Sequence, residues 1–147
     1  MAGFAEYDNY DGLGLAQLVA SGEVSAPELL EEAISRTEKV NGELNAVVHK
    51  HYNEARIAAR GDLPAGIFRG VPFLLKDLHL MLTGTVTTSG SGMYRGHVAD
   101  HDSTLVERYK RSGLVIFGKT NSPELGLMPV TEPELYGAAR NPWNPQY

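Results

Sequence analysis

The stretch Arg69-Gly-Val-Pro-Phe-Leu-Leu-Lys-Asp-Leu-His-Leu-Met-Leu82, "RGVPFLLKDLHLML", decides the fold. Val71 to Leu75 form a short apolar run bounded by Gly70, the pattern of a buried strand. Its far end carries Lys76 and Asp77. Charged residues are rarely fully buried unless they are paired or have a task. The residues alone favour two readings of Lys76: its amine reaches solvent along an apolar stem, or it pairs with Asp77. Against these stands the chemistry of a desolvated lysine, whose pKa falls and whose neutral amine can act as a base. Such a base activates serine hydroxyls in Ser-Lys variants of the serine triad.

Working outward, "SAPELLEEAISRTEKVNG" opens with a capping box of Ser25 and Glu28 and has Pro27 in the first turn. Leu29, Leu30, Ala33, Ile34, Thr37 and Val40 make one helical stripe, which Asn41-Gly42 is expected to stop. A shorter helix is expected over Leu13–Ala20, a strand in "LNAVVHK" and a helix in "YNEARIAAR". Thr83 to Gly96, rich in Gly, Ser and Thr, reads as loop. Asp102 or Ser103 is expected to cap a helix with Leu105, Val106 and Tyr109 on its core face. Leu114 to Gly118 is a second buried strand, and a short helix is expected from Ser122. The remainder is loop-like, with four prolines and an exposed-looking Trp143. Helix followed by buried strand, twice, predicts an α/β sheet of three or four strands.

Composition narrows the function. With 147 residues and 42% hydrophobic content the chain can build a core. A net charge of −5 argues against a phosphate-backbone partner, so no nucleic acid is expected. No run approaches the roughly 20 apolar residues of a membrane span. The absence of cysteine and of a visible signal segment fits a cytoplasmic protein.

Several motifs compete for the chemistry. "GLVIFGKT", Gly113 to Thr120, satisfies the phosphate-cradling pattern G-x-x-x-x-G-K-[ST], but its intervening residues are stiff and strand-forming, so a sheet ladder is expected. His97, Asp100, His101 and Asp102 lie in a loop entering a helix, and two histidines without a placed third ligand are a weak signal for a metal centre. Ser89, Ser91 and Ser122 have no recognisable base beside them in sequence.

"GVPFLLKDL", "TTSGS", "DSTLVERYKRSGLVIFGKTNSPELG" and "TEPELYGAARNPWNP" occur in this order, and together they resemble the N-terminal part of the amidase signature family. The last segment looks more like stand-alone bacterial amidases of the 6-aminohexanoate cyclic-dimer hydrolase type than like tRNA-dependent amidotransferase subunits. The resemblance implies a mixed β-sheet covered by helices on both faces and a Ser–cis-Ser–Lys triad without metal or cofactor. The family's lysine falls on Lys76. Its serines and oxyanion-hole glycines belong to elements that follow the "NPWN" segment. Residues 1–147 are therefore expected to be the N-terminal portion of a single amidase domain, inactive alone. The expected partners are the missing C-terminal portion and a small-molecule amide. A non-catalytic scaffold module and, more distantly, a P-loop-like nucleotide binder are the competing readings. The resemblance also implies that Asn121 and Glu124 hold loops around the site. Asp77 is expected to hydrogen-bond local backbone.

Overall fold

The computed structural model describes residues 4 and 6–146. Its main elements are α1 (Gly12–Ser21), α2 (Ala26–Leu44), β1 (Val47–Lys50), α3 (Tyr52–Arg60), β2 (Pro72–Lys76), α4 (Thr104–Arg111) and β3 (Val115–Thr120). The strands form one sheet in the order β1-β3-β2. β1 runs antiparallel to β3, with His49 opposite Lys119 and an irregularity between Val47 and His49. β2 lies parallel to β3, because Val115 N donates to Val71 O at 2.8 Å and Asp77 N to Thr120 O at 3.0 Å. The sheet is therefore mixed and α/β, as expected, with three strands among the described residues.

The chain divides into two compact units, and β2, β3, α2 and α4 each have residues in both. The first comprises residues 1–37, 51–73 and 108–117. Its core gathers Leu15, Ala16, Val24, Leu29 and Val71, with Phe68 and Leu114 packed against them. The α2 stripe supplies Leu29, Leu30, Ala33 and Ile34, all buried. The capping box forms as read: Ser25 Oγ accepts from Glu28 N at 3.4 Å, and Ser25 N donates to Glu28 Oε2 at 2.8 Å. Arg56 grips Glu31 with two hydrogen bonds, 2.6 and 2.8 Å, which tie α3 to α2.

The second unit comprises residues 38–50, 74–107 and 118–147. Here α2 runs past its expected stop at Asn41-Gly42 to Leu44. The stop is Asn45, which takes the left-handed conformation at φ +48°. Asn41 instead clamps the chain entering β1, accepting from Val47 N at 2.7 Å and donating to Val47 O at 2.9 Å. Val40, placed on the stripe by its spacing, is 45% exposed.

Other boundaries also moved. On α4, Val106 is buried, whereas Leu105, expected on the same core face, is 43% exposed. Asp102 Oδ1 accepts from Thr83 N and Thr83 Oγ1, both at 2.8 Å, which ties the loop before α4 back to residue 83. The helix expected from Ser122 is a single 3-10 turn, Glu124–Gly126. Trp143 is 94% exposed, as its setting suggested.

Gly113 is the sharpest local constraint. Its φ is +89°, and a β-carbon there would meet Arg69 Cα at 2.5 Å. The residue turns α4 toward β3 while its carbonyl accepts from Gly70 N at 2.9 Å. Gly113→Ala combines a left-handed alanine, about 1–2 kcal/mol, with overpacking of a further ~1–3 kcal/mol. The expected result is a urea midpoint well below that of the parent chain; an unchanged midpoint would show that the 69–113 contact relaxes freely.

Candidate functional site

Lys76 and Asp77 sit at the C-terminal end of β2, where ligand sites of open α/β sheets gather. Successive side chains leave a strand on opposite faces. Accordingly Lys76 is exposed while Asp77 is fully buried. The two do not pair. Lys76 is exposed, in line with the reading in which its amine reaches solvent, and the buried residues of the strand end are Leu75 and Asp77.

Asp77 is held by the loop that follows. Thr88 N donates to Asp77 Oδ1 at 2.9 Å, and Thr88 Oγ1 donates to Oδ2 at 2.5 Å. The bond to backbone is thus made not locally, as expected, but to a residue eleven positions along the chain. His49 Nε2 lies 3.7 Å from Asp77 Oδ2. That nitrogen also meets the Tyr136 hydroxyl at 2.8 Å. Burial pushes the Asp77 carboxyl up, but His49 and the two Thr88 bonds outweigh it and hold the group below its ordinary value. Asp77 is therefore a buried carboxylate at neutral pH.

The register that sets His49 opposite Lys119 sends both side chains from the same face of the sheet. Lys119 is fully buried. Its amine donates to Val86 O at 2.7 Å and to Thr87 Oγ1 at 2.5 Å. Burial lowers its pKa to about 8, against a smaller opposing pull from Asp77. This settles the reading of "GLVIFGKT": residues Val115–Thr120 are strand, and the lysine faces a loop carbonyl and a hydroxyl. Gly118 is needed because a β-carbon would meet His49 O at 2.5 Å.

The remaining candidates are local fixtures. Ser91 Oγ donates to Glu124 Oε1 at 2.6 Å, and Ser122 Oγ to Pro123 O at 3.0 Å. Ser89 is buried with φ +52°. Asn121 Nδ2 donates to Asn45 O at 3.3 Å and Gly137 O at 3.1 Å, while Asn45 Nδ2 donates to Tyr136 O at 2.8 Å. Asn121 and Glu124 thus hold loops, as read. His101 Nδ1 pairs with exposed Asp100 at 2.6 Å. Among the described residues no group of three or more His, Asp or Glu side chains is placed to hold a metal ion. Among the described residues no helix is long and apolar enough to cross a membrane.

Sequence reasoning missed His49, Thr88, Lys119 and Tyr136 as members of one cluster, because their proximity rests on sheet register and loop closure. The buried pair sets a pH signature. Lys119 binds its proton more weakly folded than unfolded, so the unfolded chain holds more protons between about pH 8 and the ordinary value of 10.5. Stability therefore rises with pH across that window. Asp77 has the same sense in an acid window: its contribution is complete above 3.8 and is lost as pH falls through its lower folded value. Urea midpoints at about pH 7.5 and pH 10 should show the parent chain gaining on Lys119→Met toward the alkaline end. Parallel behaviour of the two proteins would exclude a depressed Lys119.

The comparisons with known proteins agree with this architecture. The chain is 47% identical over 136 residues to the 6-aminohexanoate-cyclic-dimer hydrolase of Paenarthrobacter ureafaciens, covering 91% of this chain and 27% of that protein. It is 39% identical to the lipoamidase of Enterococcus faecalis, covering 97% of this chain and 20% of that one. The solved structure of 6-aminohexanoate cyclic dimer hydrolase with substrate superposes with a TM-score of 0.86 at 45% identity, covering 92% of this chain and 28% of that one. The chain thus spans about a quarter of the length of the curated relatives it matches. The Amidase family model matches residues 28–147, and with the mixed sheet and the Lys-Asp strand end in place, the chain belongs to the Amidase family.

Proposed function

We propose that this chain supplies the base lysine, Lys76, of an amide hydrolase that works through a Ser–cis-Ser–Lys triad and an acyl-enzyme. The observation that carries the reading is the position of Lys76. It ends β2 with its side chain exposed, and its amine has no hydrogen-bond or ion-pair partner among the described residues. The fully buried Asp77 fixes the next residue of the backbone. An accessible amine on a fixed strand end is what a proton relay needs. In this reading neutral Lys76 takes a proton from a bridging serine, which takes one from the nucleophilic serine. The nucleophile then attacks the amide carbonyl, and water releases the acyl group.

A lysine serves as a neutral base once it leaves water. Lys76 is exposed here, so the cover belongs to further amidase polypeptide that also supplies both serines and the oxyanion donors. Apolar side chains in the second unit support such a partner: Leu127 is 77% exposed, Met128 60% and Val130 51%. The substrate class is a small-molecule amide, linear or cyclic, in keeping with the hydrolases it resembles.

Two measurements test the proposal. The purified 147-residue chain should give no turnover of a simple aryl amide, and measurable turnover would show that it holds a complete site. In an amide-hydrolysing protein that contains this segment, Lys76→Ala should lower kcat by about 10³-fold or more while the urea midpoint holds, as for a general base. A near-parental rate would move the base elsewhere.

A further inference from the structure

We propose that Asp77 and Lys119 are positioning residues: two buried, oppositely charged side chains at neighbouring strand ends that hold Val86–Ser91 as a fixed wall beside the strand end bearing Lys76. This deepens the reading of Lys76 as base and rests on it. The two charges direct their hydrogen bonds into one loop. Asp77 accepts from the amide and the hydroxyl of Thr88. Lys119 donates to Val86 O and Thr87 Oγ1. Each charge therefore grips the loop, from β2 and from the neighbouring β3.

Stability alone does not explain that arrangement. Buried charges lose several kcal/mol of hydration each, by order of magnitude, and apolar replacements of similar volume are often neutral or stabilising. What charged groups add is direction, through hydrogen bonds about twice as strong as neutral ones. The loop shows the effect. Thr88 Oγ1 also accepts from Gly90 N at 3.1 Å, and Ser91 N donates to Thr88 O at 3.0 Å. Leu125 N donates to Ser89 O at 2.8 Å, and Ser91 Oγ reaches Glu124. Within this frame Ser89 keeps a left-handed backbone at φ +52°. A strained non-glycine residue persists where its surroundings over-determine it, and such residues cluster at functional sites. The wall belongs to the same short run of chain as Lys76: Asp77 is its sequence neighbour, and Thr88 is bonded to Asp77.

The test uses the full 147-residue chain, isotopically labelled, and amide hydrogen exchange. In the parent chain the Thr88 and Ser91 amides should be protected. Thr88→Val and Lys119→Met should each speed their exchange by about 10- to 100-fold, the loss of hydrogen bonding to a charged group. The Val115 and Gly70 amides, bonded in the first unit, should hold their rates. Thr88→Ser, which restores the hydroxyl, should restore protection. Unchanged protection at residues 88 and 91, or an equal loss in both units, would overturn the proposal. Should Lys119→Met not fold, Thr87→Val removes one acceptor of Lys119 and gives the same local readout. In an amide-hydrolysing protein carrying the segment, Thr88→Val should lower kcat with KM unchanged, and Thr88→Ser should recover it. Full kcat in Thr88→Val overturns the positioning role, whereas full kcat in Lys76→Met overturns the parent reading instead.

Discussion

The hydrogen bonds between Thr88 and the buried Asp77 carboxylate are the constraint on which the second unit depends. A carboxylate taken out of water without donors would protonate or open a path to solvent. Here two donors come from one residue of a loop that has no regular secondary structure of its own. The loop therefore cannot drift without exposing a charge, and the charge cannot stay buried without the loop. This mutual requirement fixes the chain from Val86 to Ser91 more firmly than its composition of small polar residues would suggest.

The constraint explains the alternation at the end of β2. Strand geometry sends Lys76 and Asp77 to opposite sides. The Asp77 side is closed by Thr88 and His49. The Lys76 side is open. The pair that looked from sequence like a possible salt bridge is two separate devices, one anchoring the strand end and one presenting an amine.

How much of this was legible depends on the range of the forces involved. The capping box of α2 was readable because Ser25 and Glu28 are three residues apart and their bonds form within one turn. The strands β2 and β3 were readable because apolar runs must be covered. The end of α2 was misread because Asn41 bonds forward to Val47, which removes the competition a helical asparagine usually offers. The family was readable from four ordered segments, whereas the cluster of His49, Thr88, Lys119 and Tyr136 was not. Its members are brought together by the β1–β3 register and by Asn45 and Asn121 pinning the segment around Tyr136–Ala138. Spacing along the chain carries no trace of either.

The two lysines show why a perturbed group is not by itself a catalytic group. Lys119 has its pKa lowered to about 8 and lies 2.5 Å from a threonine hydroxyl, the spacing of a base beside a nucleophile. By that criterion it would outrank Lys76. Access decides otherwise. Thr87 is 5% exposed and Lys119 is 0% exposed, so no carbonyl carbon can approach the hydroxyl along an attack line. The amine's remaining bond, to the Val86 carbonyl, is one that a proton-accepting lysine would have to give up. Structural ion networks perturb pKa values as strongly as active sites do. A base must be both tunable and reachable. Lys119 is tuned by burial that makes it unreachable, whereas the Lys76 side chain is exposed.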